Sequence, residues 1–365
     1  MNSFKPADRL SGKYGSFVLS LLVLITAFTF YGLSLFYTRI SPAFALEDGI
    51  SGKGKVLQDI PARERGKDQC IQCHDVLEGR LRDPVVGFEG DVHYQEGLSC
   101  SDCHGGDPAK EDMDEAMDPA KGYVGVPDPL KVPEFCSRCH GNPEYMKKYN
   151  PALPVDQVEK YNTSIHGKKL RRGDRKVAQC ASCHEAHGIR KANDPMSSIY
   201  PLNIPETCSR CHSDPKYMQE YKIPIDQHSK FVQSVHGYAL FEKRDVRGAP
   251  ACNDCHGNHG AIPPGVESIA FVCGLCHSYN FELYEKSPIS NYFTQLGLHG
   301  CQVCHGNHDV RKPTDEMVGV GKFSICITCH TKKDKGWNAA KEMGVLIDSL
   351  REKYESVEEV LKSAE

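Results

Sequence analysis

All eighteen cysteines of this 365-residue chain fall into nine copies of one pattern, Cys-x-x-Cys-His, and no other feature constrains the fold as strongly. The copies are Cys70, Cys73 and His74; Cys100, Cys103 and His104; Cys136, Cys139 and His140; Cys180, Cys183 and His184; Cys208, Cys211 and His212; Cys252, Cys255 and His256; Cys273, Cys276 and His277; Cys301, Cys304 and His305; and Cys326, Cys329 and His330. A thioredoxin-like site needs one such pair per fold, and a four-cysteine zinc site needs two, so an odd number of pairs always leaves one over. A disulfide framework gives no reason for a histidine directly after every second cysteine. The spacing is that of c-type haem attachment, in which two thiols bond the porphyrin and the adjacent histidine reaches the iron as proximal ligand. Nine covalent haems c are expected.

Composition agrees with a core that is not made of side chains. Hydrophobic residues are 39% even with the cysteines included, and glycine and proline number 32 and 22. That is little apolar material and much chain punctuation for a core of this length. A porphyrin is a large apolar plate, so short helices and loops wrapped around it bury area that aliphatic side chains otherwise supply. The expected architecture is mainly α with extensive irregular loops and little β, cored by haem. The net charge of −4 comes with no basic stripe, which excludes a nucleic-acid surface.

Internal repeats organise the haem region, residues 70–330. The stretch "FCSRCHGNPEYMKKYNPALPVDQVEKYNTSIHG" at 135–167 closely matches "TCSRCHSDPKYMQEYKIPIDQHSKFVQSVHG" at 207–237, and a weaker copy runs from Val272 to Gly300. Each is followed by a second motif, "CASCHEAHG", "CNDCHGNHG" or "CQVCHGNHD". The repeating unit therefore carries two haems: units at 70–135, 136–207, 208–272 and 273–325, with a half unit at 326–330. Within a unit one histidine ends a short helical segment as His-Gly (His166, His236, His299, with His93 in the diverged first unit), and another follows the second motif's histidine by three residues (His187, His259, His308). With His228, which sits where the preceding copy has Val158 and is either a ligand or a surface residue, these are the eight distal candidates.

The motifs together with "NTSIHG" and "VQSVHG" make the chain resemble the low-potential multihaem c-type cytochromes, the class III or doubled-CXXCH group, over roughly residues 70–330. The resemblance implies bis-histidine ligation, close haem stacking and electron transfer outside the cytoplasm. An axial pair takes opposite faces of one plate, whereas residues three apart in a turn or helix project from one side. His256 and His259 are therefore expected on different haems, as are His184 and His187, and His305 and His308. Seventeen histidines for nine haems leave one iron short, and the shortage looks clearest at the Cys100 and Cys326 motifs, which have no plus-three histidine. Methionine is the usual substitute; Met146 and Met218 recur at one repeat position, but Leu283 replaces them in the third copy, which favours packing, and Met113 and Met117 lie in an acidic loop.

The function expected is an electron relay between membrane or periplasmic redox partners, not catalysis. Two alternatives are a multihaem reductase using an open iron for nitrite, hydroxylamine or a sulfur oxyanion, and the cytochrome subunit of a quinol-oxidising membrane complex. The N-terminus bears on localisation. Lys5, Arg9 and Lys13 precede an uncharged run from Tyr14 to Thr38, long enough to span a bilayer, while Ala43-Phe44-Ala45 fits a signal-cleavage site. Residues 1–45 are thus an anchor or a signal peptide, with a retained anchor preferred, and 46–69 are a polar linker. The haem region is expected on the periplasmic or extracytoplasmic face. Residues 331–365 carry the stripe Met343, Ile347, Leu350, Tyr354, Val357 and Leu361 of an amphipathic helix, for packing on the cytochrome body or for docking to a partner or second copy. The helical pattern runs to the last residue without a cap, as in a chain that continues.

Overall fold

A computed structural model of the chain describes residues 68–265 and 269–364. The apolar run at 14–38, the cleavage-like Ala43-Phe44-Ala45 and nearly all of the 46–69 linker lie outside the described residues. Among the described residues there is no strand; the chain runs through short helices joined by turns and irregular loops, the mainly α architecture expected.

Two consecutive units share the same sequence of helices. A motif ends the helix Val132–His140, and its counterpart ends Ile204–His212, each with proline in the first turn, where its missing N–H costs nothing. Pro143–Met146 and Pro215–Met218 follow, capped by Asn142 and Asp214, whose side chains accept from backbone N–H groups of the first turn. Then come Gln157–Thr163 and Gln227–Gln233. Ser164 and Ser234 break the chain, and new helices start at Ile165–Arg171 and Val235–Phe241.

The Ser-x-His-Gly sequence explains itself at these corners. Ser164 Oγ donates to Tyr161 O at 2.6 Å and accepts from Gly167 N at 2.8 Å; Ser234 does the same with Phe231 O at 2.7 Å and Gly237 N at 3.0 Å. One hydroxyl thus closes one helix and opens the next. A Cβ at Gly167 or Gly237 would collide with the carbonyl oxygen of Tyr161 or Phe231, so only glycine lets the two helices meet this closely. The histidine between serine and glycine is thereby held on a rigid elbow.

Side chains supply little core. The buried apolar residues among those described are Val85, Phe88, Met146, Leu170, Val177, Met218, Leu240, Ala251 and Ala340, scattered along the chain. Met146 and Met218 belong to this set, each in the short helix of its own unit. So few buried side chains cannot offset the conformational entropy of ordering this much chain, which leaves the space between the helices for large apolar groups.

The helix Lys335–Ala364 closes the described chain. Its first half packs through buried Ala340 and through Gly344, which lies against Gly319, and Arg351 reaches Asp315 at 3.4 Å. Beyond that point Tyr354, Val357, Val360 and Leu361 are exposed. Among the described residues no helix is long and apolar enough to cross a membrane.

Candidate haem sites

Each motif occupies about one turn of helix or the end of a longer one, so its two cysteines, three apart, share a face and the histidine follows beside the second. Capping fixes where several of these turns begin. Asp68 accepts from Cys70 N at 3.0 Å, and the residue before the second cysteine reaches back at two others: Asp102 accepts from Ser99 N at 2.6 Å, and Asp254 from Ala251 N at 2.7 Å.

No two cysteines are joined in a disulfide, and no group of three or more His, Cys, Asp or Glu among the described residues forms a metal-binding cluster.

The histidines pair instead. Ring centres lie 5.8 Å apart for His93 and His140, 6.2 Å for His104 and His187, 6.1 Å for His166 and His212, 6.0 Å for His184 and His259, 6.3 Å for His236 and His277, and 5.8 Å for His256 and His308. Every pair joins one motif histidine to one histidine outside the motifs. Two imidazole nitrogens each about 2 Å from a shared metal place the ring centres roughly 6 Å apart, so the spacing is that of two axial ligands on one iron. The electronic state fits as well. Burial holds His140, His166, His184, His187, His212, His236, His259, His305 and His308 below the ordinary imidazole range, leaving neutral rings with a free lone pair. Nδ1 donates to Leu81 O at 2.9 Å in His74, to Val124 O at 2.9 Å in His104 and to Ile262 O at 3.4 Å in His256. That leaves Nε2 for iron.

Comparison with known proteins points the same way. Residues 92–213 match the family model of cytochrome c3, a stretch that holds four of the nine motifs and covers about a third of the chain. The match over that stretch supports a multihaem c-type cytochrome, with covalent haem c and electron transfer. No curated protein and no solved structure matched the chain.

The pairs of the cytochrome obey a rule of register. The elbow histidine, followed by glycine at His166 and His236 and by Tyr94 at His93, faces the first motif of the next unit: His93 faces His140, His166 faces His212 and His236 faces His277. A plus-three histidine faces the second motif of the preceding unit: His187 faces His104, His259 faces His184 and His308 faces His256. One backbone hydrogen bond recurs at each junction. The residue before the elbow histidine donates to the carbonyl two residues after the plus-three histidine: Val92 to Ile189 O at 2.7 Å, Ile165 to Ala261 O at 3.1 Å and Val235 to Val310 O at 2.9 Å.

The i, i+3 histidines separate for a reason other than a shared helix face. The helix stops at His184 and at His256, and the next residue is left-handed, with φ of 69° at Glu185 and 83° at Gly257; Gly306 after His305 is also at 83°. The turn re-aims the second ring toward the neighbouring unit. A motif lacking a plus-three histidine need not lack a ligand, because that histidine serves the unit before: His104, in a motif without one, faces His187.

Consecutive motifs are also neighbours in space. Within units, the helices Gln69–Asp75 and Cys100–His104, Val132–His140 and Cys180–His184, and Ile204–His212 and Cys252–His256 are in contact. The thiols of Cys136, Cys208 and Cys273 donate to those of Cys180, Cys252 and Cys301, raising the donors and lowering the acceptors. Between units, Arg138 Nη2 donates to Cys103 O at 2.6 Å, and Ser198 links Cys183 O at 2.5 Å to Thr207 Oγ1 at 2.7 Å. Burial is the larger cause of the raised thiols here, and a neighbouring motif adds to it: Cys139 at Cys103, Cys208 at Cys183, Cys276 together with Asp254 at Cys255, and Cys326 at Cys304. Successive motifs thus lie beside one another in sequence order.

Five histidines stand outside the pairs. Among the described residues no second imidazole faces the motif histidines His74, His305 or His330. His228 has its Nε2 3.9 Å from Glu206 Oε2, and His299 Nδ1 is buried without a hydrogen-bond partner.

Sequence reading missed Asp91. Its carboxylate, 1% exposed, accepts from His93 N at 2.8 Å, from His93 Nδ1 at 2.9 Å and from Ile189 N at 2.8 Å. Burial acts to raise its pKa, and those three bonds outweigh burial and hold it below the usual carboxylate range. It occupies the cap position of Ser164 and Ser234, so aligning "GDVH" with "TSIH" and "QSVH" contained the signal. Asp91 orients His93 directly and the His187 loop through Ile189, two rings that face different motifs. Asp334, which meets His330 Nδ1 at 3.1 Å, was missed in the same way.

Proposed function

We propose that the chain carries nine haems c arranged in sequence order and relays electrons along them between redox protein partners on the extracytoplasmic side of the membrane. The observation that carries this reading is the contact of each attachment motif with the next, joined to six imidazole pairs at the spacing of one iron. Haem iron takes up and releases single electrons; the protein's part is to hold, orient and shield it. The paired cysteines fix each ring edge, the buried neutral histidines supply axial nitrogens, and the Nδ1 bonds fix ring orientation. Short loops keep neighbouring groups close, which favours hopping from one to the next.

On this reading Tyr14–Thr38 tethers the haem array to the membrane, where a quinol-oxidising subunit supplies electrons, and the exposed end of Lys335–Ala364 docks a partner or a second copy. Intact mass of the purified protein should show nine haems, and a potentiometric titration should resolve a ladder of overlapping low potentials reduced by a single electron source. Fewer than nine haems, or a group of haems that stays oxidised when the rest are reduced, would overturn the continuous relay.

A further inference from the structure

The helix Lys335–Ala364 meets the turns Asp315–Met317 and Cys326–Thr328 through one side of its first half. Ala340 is buried there, Gly344 lies against Gly319, and Arg351 bonds Asp348 at 2.6 Å and reaches Asp315 at 3.4 Å. Every residue from 351 to 363 is exposed. A free helical segment of that length is marginal in water by itself. Yet Leu346, Leu350, Tyr354, Val357, Val360 and Leu361 fall along one stripe of it, each at least 58% exposed. At 3.6 residues per turn the stripe lies roughly a quarter turn from the side that holds Ala340, Gly344 and Arg351, so the cytochrome body leaves it open.

We propose that this stripe pairs with the same stripe of a second copy, the two helices running parallel. The inference rests on the reading of this segment as a docking element and is independent of the haem count. Three observations select a second copy. Leu350, Tyr354, Val357 and Leu361 are spaced four, three and four, the period of a seam between two helices of like spacing. The charges beside the seam are self-complementary: in parallel register Lys353 falls beside the partner's Glu358, and symmetry makes the contact twice. Within one chain Glu358 has only a weak exposed pairing, with Lys362 at 3.5 Å, and no ion pair of Lys353 occurs among the described residues. Finally, residues 352–363 carry four carboxylates against two lysines, the wrong sign for an anionic lipid surface. An antiparallel pair over the same residues would set Arg351 against the partner's Glu358, and Arg351 is already held by Asp348 and Asp315. The parallel pair also brings the two Cys326 motifs, each beside its own helix, to the same end.

Sedimentation equilibrium of the purified full chain with its haems, in density-matched detergent, tests this. A concentration-dependent mass of two chains is expected. Leu350→Lys with Val357→Lys should abolish association at an unchanged haem count. Lys353→Glu and Glu358→Lys should each weaken it about fivefold, and the double variant should restore it, because the two charges exchange places across a parallel seam. A chain that stays monomeric at every concentration overturns the proposal, whether the stripe then binds a different protein or none. So does association that survives the Leu350 and Val357 substitutions, which would place the interface elsewhere, or a double variant as weak as Glu358→Lys alone, which would reverse the orientation. These substitutions lie on exposed positions, and an intact absorption spectrum checks that each variant has folded. Intact mass reads the haem count separately, so a failed relay reading and a failed dimer are distinguished.

Discussion

The junctions inside the array and its two ends are built from the same motif, yet they are completed differently. At each of three junctions a serine or aspartate cap, an elbow histidine and a plus-three loop from the next unit lock together through one backbone hydrogen bond, so two units exchange ligands. At the Cys70 and Cys301 motifs, near the two ends, no second ring faces His74 or His305 among the described residues. The ligand supply of this cytochrome is therefore a property of the contact between units, and a unit in isolation would hold neither of its irons fully.

The strongest way to break this comparison is to remove the haems. Expressed without haem attachment, the chain should lose most of its helical circular dichroism and become protease-sensitive throughout, because its few buried side chains cannot hold the junctions together. Persistence of native-like helix would mean that the junctions are held by protein alone. The next largest effect concerns one interior ring. His259→Ala should open the haem of Cys180 to carbon monoxide by removing the partner of His184, whereas His228→Ala should leave carbon monoxide binding as it is in the unaltered protein. Equal effects of the two would abolish the distinction between paired and unpaired histidines.

A smaller change separates one junction from its siblings. Asp91→Asn should raise the reduction potential of a single haem, that of Cys136, because a neutral amide gives His93 less electron density than a carboxylate on Nδ1. Ser164→Ala, at the equivalent cap, should cost about 1 kcal/mol of stability and move no potential appreciably, since its hydroxyl meets only backbone. Protein-film voltammetry and thermal melting separate the two outcomes. The smallest effect belongs to the end of the last helix. Deleting residues 352–365 should change melting by no more than about 0.5 kcal/mol and leave the haem count intact, as residues 352–363 are exposed. Loss of self-association or of partner capture in the truncated protein would assign the exposed stripe to docking; loss of haem would show that it packs on the array.

Much of the site is legible in sequence because its rules are local. Two cysteines and a histidine within one helical turn declare covalent haem, and Ser-x-His-Gly declares a capped elbow. Asp91 illustrates what is not. Its chemistry depends on Ile189, 98 residues away, brought to 2.8 Å by the stacking of units. No periodicity in the chain encodes that approach. The i, i+3 histidines show the boundary from the other side: divergence could be expected from the sequence, but its cause is a left-handed residue that ends the helix at His184 and His256.

What the sequence determined by itself is the cofactor chemistry, the mainly helical fold and the two-motif repeat, because each follows from residue spacing within a turn or a unit. Which histidine meets which iron was decided only by tertiary structure. Axial ligation requires two rings on opposite sides of one plate, and in this chain those rings come from different units.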